Sequence, residues 1–400
     1  MDRGGSAGGP LYAAAGGSMS VPRRIQSSRP TFTDLPAILR DLEQVLASGR
    51  LMLGPYLEQF ERAFAALVGT REAIGVSSCT SALEIVLRYV GVEGREVIVP
   101  TNTFLATANA VRYAGGTPVL TDIHPETLCL DAATLARALS PRTNAVILVH
   151  LAGLIPADVT AIRSLCEARG IPLIEDCAHA HGAAFAGTRA GAFGLAGCFS
   201  FYPTKVMTTG TGGMITTSDP ALSDYARSVR LHGRGSGPGS GQEVLERLGN
   251  DWLLDEVRCV LGLHQLRQLD ETLARRRALA ERYLTRLQTV PGVKPIAPDA
   301  RCRPSWYKFM VLMEPPVEVE RLRGALLEQG IESERLYWPP CHLQPVVRRM
   351  FGGREGMFPV AEGVLRRQLC LPLHAGMSAD DVERVVACLE RELAALCAGS

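Results

Sequence analysis

From about Phe32 to Val290 the chain alternates short apolar runs with stretches of helical periodicity. Ala73 to Val76, Glu96 to Val99, Pro118 to Thr121, Ala145 to Val149 and Pro172 to Glu175 read as buried strands. Ser81 to Val90, Leu105 to Ala114 and Asp158 to Ala168 carry apolar residues at helical spacing. Strand-helix alternation of this kind predicts an α/β fold with a mostly parallel sheet covered on both faces. Cys198 to Phe201 and Met214 to Thr217 extend the same sheet, and Trp252 to Leu287 reads as long helices. Pro291, Pro298 and Pro304 mark a linker, after which a strand at Trp306 to Met313 and helices at Val317 to Gln329 and Ala379 to Leu396 form a smaller α/β unit. The division expected is a disordered leader over 1–30, a large domain over 31–290 and a small one over 291–400. Leu231 to Gly241, with five glycines, is expected as a mobile loop.

Composition narrows the function. A formal net charge of +1 gives no electrostatic reason for a nucleic-acid or membrane partner. The longest apolar run, Ala145 to Leu154, is interrupted by His150 and is too short to span a bilayer. Met1 to Ser18 lacks a basic region followed by a solid apolar segment, so it does not read as a signal peptide. Eleven cysteines without a Cys-x-x-Cys pair argue for a reducing cytoplasm and against a disulfide framework or a metal site.

Candidate chemistry begins with an imbalance. Only three of the 42 basic residues are lysines, Lys205, Lys294 and Lys308, and the other 39 are arginines. Lys205 closes Ser200-Phe201-Tyr202-Pro203-Thr204-Lys205, and a lysine kept there suits amine chemistry that a permanently charged guanidinium cannot do. Asp176 stands at the carboxyl end of a hydrophobic strand, where it can keep a pyridine nitrogen protonated or simply cap the next segment. Ser77 to Leu83 joins a strand to a helix; Thr80 and Ser81 can cap that helix and, with its free N–H groups, hold a phosphate. Phe104 follows another strand and can stack on a planar ring or fill the core. Ser200 can add a phosphate contact. Lysine, strand-end acid, phosphate-binding turn and aromatic lid at the carboxyl ends of one sheet are the parts of a pyridoxal-phosphate enzyme.

The chain also resembles the DegT/DnrJ/EryC1/StrS aminotransferases, sugar aminotransferases of the type I pyridoxal-phosphate fold, from about Gly54 to Ala387. The resemblance is carried by Gly54 to Glu61, the Ser-Ser-x-Thr turn, Pro100 to Asn109, Glu175 to His179, Ser200 to Lys205, Arg230 to Gly233, Trp306 to Phe309, Gly330 to Glu332, Phe358 to Glu362 and Leu371 to His374. It implies that Lys205 carries the cofactor and moves the proton, that Asp176 pairs with the ring nitrogen and that Phe104 stacks on the ring. It implies further that Thr80, Ser81 and Ser200 hold the phosphate. His179 stands where relatives often carry a glutamine facing the cofactor's hydroxyl. Relatives show an asparagine that reaches a neighbouring subunit's phosphate where this chain has Asp251; a carboxylate there would repel a phosphate, and Asn250 could take the contact. Thr211 replaces a common acid and Cys79 a usual glycine. In the small domain, Tyr337, Trp338 and His342 fall in a segment resembling the family's substrate side, with packing between domains as their other reading.

The resemblance implies transamination in a homodimer with shared sites, and the cysteine usage places it in the cytoplasm. Glutamate or glutamine is the donor and a keto-sugar the acceptor, such as a nucleotide-linked 4-keto or 3-keto hexose. A cyclitol ketone (inosose) satisfies the same chemistry. A catalytically silent relative acting as a regulator would keep the fold and lose the lysine or the acid; both are present. A nicotinamide enzyme would need a Gly-x-Gly-x-x-Gly turn that Ser77 to Ser81 does not offer.

Overall fold

The computed structural model describes residues 23–235, 244–315 and 317–398. Its strands in chain order are β1 (Glu72–Val76), β2 (Glu96–Pro100), β3 (Thr117–Thr121), β4 (Thr143–Val149), β5 (Leu173–Asp176), β6 (Ala184–Phe185), β7 (Thr188–Arg189), β8 (Ala196–Ser200), β9 (Gly213–Thr217), β10 (Val293–Pro295), β11 (Cys302–Arg303), β12 (Phe309–Met313) and β13 (Gln368–Leu371). Seven of them form the central sheet in the order β1-β9-β8-β5-β4-β2-β3.

Within that sheet the pairs from β8 to β3 are parallel, whereas β9 runs antiparallel to both β1 and β8. The covalent reason is the connection. Residues 201–212 contain no helix, so the chain leaving β8 folds straight back and pairs antiparallel. This reversal brings the start of β9 to the edge where the other strands end, with Gly213 opposite both Val76 and Ser200. A side chain at Gly213 would come within 2.3 Å of the Ser78 backbone, so the close approach of β9 to the turn after β1 requires glycine.

Helices cover both faces. Cys79–Tyr89 buries Ala82, Leu83, Ile85 and Val86 against one face of the sheet, in a core shared with Ile74, Val97, Ile147 and Ile215. Phe60 and Phe64 of Pro55–Val68 pack on the other face, against Phe199 and Phe201. The alternation along each strand therefore feeds two cores, as a doubly covered sheet requires. Trp252 to Leu287 is two helices, Glu256–Arg267 and Leu269–Leu287.

A second sheet, β10-β12-β13, is antiparallel throughout and has its own core. That core takes Leu279, Tyr283 and Leu287 from the helix Leu269–Leu287, together with Leu322 and Leu389 from the helices Val319–Glu328 and Ala379–Ala398. The proline-marked stretch before β12 contains β10 and also β11, which pairs with β6.

The expected leader lies outside the described residues up to 22. From Arg23 onward the chain is seated on the second unit. Ile25 is buried and bridges Ile331, and its N–H and C=O pair with Gly330 and Glu332. Of the expected glycine loop, residues 236–241 also lie outside the described residues. Its described flanks form antiparallel bridges, Leu231 with Asp251 and Arg234 with Leu245. Among the described residues no helix is long and apolar enough to cross a membrane, and ten cysteines, from Cys79 to Cys388, are buried and unpaired.

Candidate active site

The carboxyl ends of β1, β2, β4, β5 and β8 open on a cavity of about 520 Å³, the place where sheets of this type collect ligands. Its lining brings together Lys205, Asp176, Thr80, Phe104, His179 and Ser200, with Tyr307 and Tyr337 closing it from the second unit.

Lys205 sits on a turn built by its own backbone. Its N–H donates to the Tyr202 carbonyl, while Thr208 and Thr209 bond the Phe201 carbonyl and Phe201 N–H bonds Gly212. The side chain is half-buried, with Nζ 4.7 Å from the centre of the Tyr307 ring. Burial is the main influence on the ammonium and brings it to about 8; Asp176 opposes the change, and Lys308 adds to it. An amine so placed is partly free at neutral pH, which a nucleophilic or proton-moving lysine requires.

Asp176 ends β5 with its carboxylate buried. Thr107 donates to Oδ2 at 2.7 Å, Ala178 N–H donates to Oδ1 at 3.1 Å, and Cys79 Sγ lies 3.8 Å from Oδ1. Thr107 in turn shares its hydroxyl with Thr103 at 2.7 Å. Phe104 is the N-terminal flank of the helix Leu105–Tyr113, lines the cavity and remains 61% exposed.

The helix Cys79–Tyr89 starts two residues earlier than the expected Ser81, and its cap is Ser78 in place of Thr80 or Ser81. Ser78 and Ser81 form a capping box: Ser81 N–H donates to Ser78 Oγ, and Ser78 N–H donates to Ser81 Oγ. The Ser81 hydroxyl also donates to the Ser78 carbonyl and does not line the cavity. Thr80 does line it, as do Ser78 and Cys79. At the first turn of a helix the N–H groups have no partner within the helix, so those of Cys79 and Thr80 are available to an anion.

The remaining expected residues divide. His179 is buried, stacked on Tyr307 at 4.2 Å between ring centres, and hydrogen-bonded on both nitrogens. Tyr337 lines the cavity. Trp338 does not: the guanidinium groups of Arg335 and Arg366 lie against its ring, at 4.4 and 5.8 Å from the ring centre. His342 is fully buried outside the cavity, with Nδ1 2.7 Å from Thr101 Oγ1 and Nε2 3.0 Å from Glu362 Oε1. In this chain both residues therefore sit in packing contacts away from the cavity lining, and both ring nitrogens of His342 are engaged inside the protein. Asn250 and Asp251 are exposed, beside Leu231 and His232, and line no part of the cavity of their own chain.

Sequence reasoning did not single out Thr107 or Tyr307 as site residues. Thr107 is one turn after Thr103 on a helix that starts at the cavity edge, a spacing that could have flagged it. Tyr307 reaches the site only through tertiary packing of the second unit, and its hydroxyl meets Thr204 at 3.0 Å. A buried trio with metal-ligand spacing, His150, Glu175 and Cys177, has its ligand atoms within 4.8 Å. Burial pushes the Cys177 thiol well up, and Glu175 already accepts four N–H donors, so this is a hydrogen-bonded core cluster.

The donor set fits pyridoxal phosphate. A titratable amine and a buried carboxylate face one open volume, an exposed aromatic ring lines it, and a helix N-terminus with adjacent hydroxyls can receive a dianion. Known proteins agree. Residues 34–390 match the DegT/DnrJ/EryC1/StrS aminotransferase family. The chain is 37% identical over 360 residues to the spore coat polysaccharide biosynthesis protein SpsC of Bacillus subtilis (strain 168), covering 87% of this chain and 92% of that one. It is 38% identical over 379 residues to the dTDP-3-amino-3,4,6-trideoxy-alpha-D-glucose transaminase of Streptomyces venezuelae, covering 91% and 96%. The PLP-form of Spr1654 from Streptococcus pneumoniae superposes with a TM-score of 0.85 at 26% identity, over 92% of this chain and 98% of that one. With the matched family spanning most of its length and the relatives covered almost end to end, the chain belongs to the DegT/DnrJ/EryC1/StrS aminotransferase family.

Proposed function

We propose that this enzyme transfers an amino group from glutamate or glutamine to a keto-sugar, a nucleotide-linked 3-keto or 4-keto hexose, using pyridoxal phosphate. One observation carries the reading: the Lys205 amine, brought to about 8 by burial, faces the same cavity as the Asp176 carboxylate. The acceptor class is supported by the Streptomyces venezuelae relative, whose name is that of an amino-sugar transaminase.

Bound in the cavity, pyridoxal phosphate supplies an electron sink for the carbon that loses its proton. Lys205 would hold the cofactor through Nζ and, once the donor's amine has taken its place, the freed Nζ amine would accept the proton of the donor's α-carbon and pass it to the cofactor's carbon. Asp176 keeps the ring nitrogen positively charged, and a charge held there in a dry site is worth more than in water. Phe104 offers its exposed ring to the cofactor's ring. The N–H groups of Cys79 and Thr80, with the hydroxyls of Thr80 and Ser200, hold the phosphate. Asn250 and Asp251, exposed and away from their own chain's cavity, suit a contact with the site of a second copy in a homodimer.

The test starts with the purified protein, which should be yellow and lose its colour on borohydride treatment, with the label fixed on Lys205. Lys205→Arg keeps the charge and removes the titratable amine. Turnover with a panel of keto-sugars and either donor should fall to background; full turnover by Lys205→Arg overturns the proposal.

A further inference from the structure

His179 and Tyr337 share a hydrogen bond whose direction follows from their neighbours. The Ala152 N–H can only donate, and it lies 3.1 Å from His179 Nδ1, so Nδ1 accepts. Burial above all, with Lys205 and Lys308 nearby, holds the imidazole well below its usual pKa, so the ring is neutral. Its single proton is then on Nε2, and Nε2–H donates to Tyr337 Oη at 2.9 Å. The tyrosine oxygen is the acceptor in that bond, which leaves its own hydrogen for another partner. Burial pushes the phenol well up, so that hydrogen is retained.

Three observations make this arrangement a device rather than a chance contact. The His179 ring cannot turn freely, because it is stacked on Tyr307 at 4.2 Å. The turn carrying Ala152 is pressed against it: a side chain at Gly153, where φ is +85°, would meet the Ser305 hydroxyl at 1.9 Å and the His179 carbonyl at 2.8 Å. Tyr337 itself adopts φ +62°, a costly conformation for a bulky residue, while lining the cavity 5.8 Å from the Phe104 ring.

We propose that the Tyr337 hydroxyl is a directed hydrogen-bond donor into the Lys205 cavity, where it binds a ligand oxygen, and that His179 is the positioning residue that sets its direction. The inference rests on the reading that this cavity takes pyridoxal phosphate and a keto-sugar. It replaces the expected contact of His179 with the cofactor's hydroxyl, since both nitrogens of that ring are engaged within the protein. The oxygen can belong to the cofactor's ring or to the sugar, and two measurements on the pyridoxal-phosphate-loaded protein separate them.

Tyr337→Phe keeps the ring and removes the donor. If the partner is the cofactor's oxygen, the pH midpoint of the yellow absorbance moves by about one pH unit with no sugar present. If it is a sugar oxygen, that midpoint stays and KM for the acceptor that wild type aminates rises roughly tenfold at unchanged kcat, the loss of one hydrogen bond. His179→Gln can accept from Ala152 and donate to Tyr337, so it should keep wild-type values, whereas His179→Leu should reproduce the change seen in Tyr337→Phe. The proposal is overturned if Tyr337→Phe matches wild type in both measurements, or if His179→Leu moves them and Tyr337→Phe does not. A wild-type protein that takes up no pyridoxal phosphate or aminates no keto-sugar rejects the function itself, and so is told apart from failure of this inference.

Discussion

Glu175 and Asp176 are neighbours on β5, and their carboxylates have opposite fates. Strand alternation sends them to opposite faces of the sheet. Glu175 is fully buried and accepts four donors: His150 Nε2 and Gly191 N–H on one oxygen, Phe193 and Gly194 N–H on the other. Asp176 accepts from one hydroxyl and one N–H at ordinary hydrogen-bond distance and looks into the cavity. A carboxylate has about four lone-pair positions. Glu175 has used all of its own on the fold, and Asp176 keeps capacity for a ligand. What separates a structural acid from a functional one here is the number of partners already supplied, since burial is nearly the same for both.

The sharpest break of that contrast is the pair of amide substitutions. Asp176→Asn removes the charge facing the cofactor and should lower turnover on the order of 10²–10³-fold, with thermal unfolding close to wild type. Glu175→Gln places an NH₂ against N–H donors and should cost about 1–3 kcal/mol in denaturant unfolding, while the folded fraction keeps its colour and its turnover. Steady-state kinetics and urea titrations on the two variants check this. The contrast collapses if Asp176→Asn loses mainly stability or Glu175→Gln loses mainly turnover.

A smaller effect should follow pH. Burial lowers Lys205 from its ordinary 10.5 to about 8, against the pull of Asp176. The free amine is the reactive form, so attachment of pyridoxal phosphate to cofactor-free protein should slow about tenfold for each pH unit below 8. The stability consequence has a definite sign. Between about 8 and 10.5 the unfolded chain binds a proton at Lys205 that the folded chain does not, so this group makes stability rise with pH across that window, and the contribution is flat on either side. Stopped-flow absorbance across pH 6–10 measures the first, and a slope of zero through pH 7 contradicts it.

The parallel part of the central sheet was legible because its inner strands are continuous apolar runs buried on both faces, as in Ala145 to Val149. The direction of β9 was not, because direction depends on whether a connection contains a helix, and 201–212 has turn residues that suit either path. Lys205 stood out through the rarity of lysine, and Asp176 through its strand end. Hydroxyl-rich and aromatic positions were harder. Ser81 and Thr80 are adjacent and chemically alike, yet one hydroxyl closes the capping box and the other faces the cavity. Trp338 and His342 look like site residues in a one-dimensional motif, but three of the partners that claim them come from elsewhere in the chain, Thr101 from the turn after β2 and Glu362 and Arg366 from the helix Pro359–Arg366, with only Arg335 close by in sequence. Partners brought in by tertiary packing leave no local trace, and Tyr307 was overlooked for the same reason.

Thr107 tests the contrast at its finest grain. Three of the four donors to Glu175 are backbone N–H groups, which no side-chain substitution removes, so that acid is oriented by the fold as a whole. Asp176 depends on a side chain for its shortest bond, the Thr107 hydroxyl at 2.7 Å, and that hydroxyl is itself shared with Thr103. Thr107→Val keeps the shape and deletes the hydroxyl, and one lost hydrogen bond is worth about 1 kcal/mol. Pyridoxal phosphate should therefore dissociate about fivefold more readily from the variant, read by fluorescence or absorbance titration of the cofactor-free protein. Thr107→Ser, which keeps the hydroxyl, should restore most of the affinity. If the valine variant binds the cofactor as tightly as wild type, then Asp176 is held by its backbone contacts alone, and its orientation is as much a property of the fold as that of Glu175.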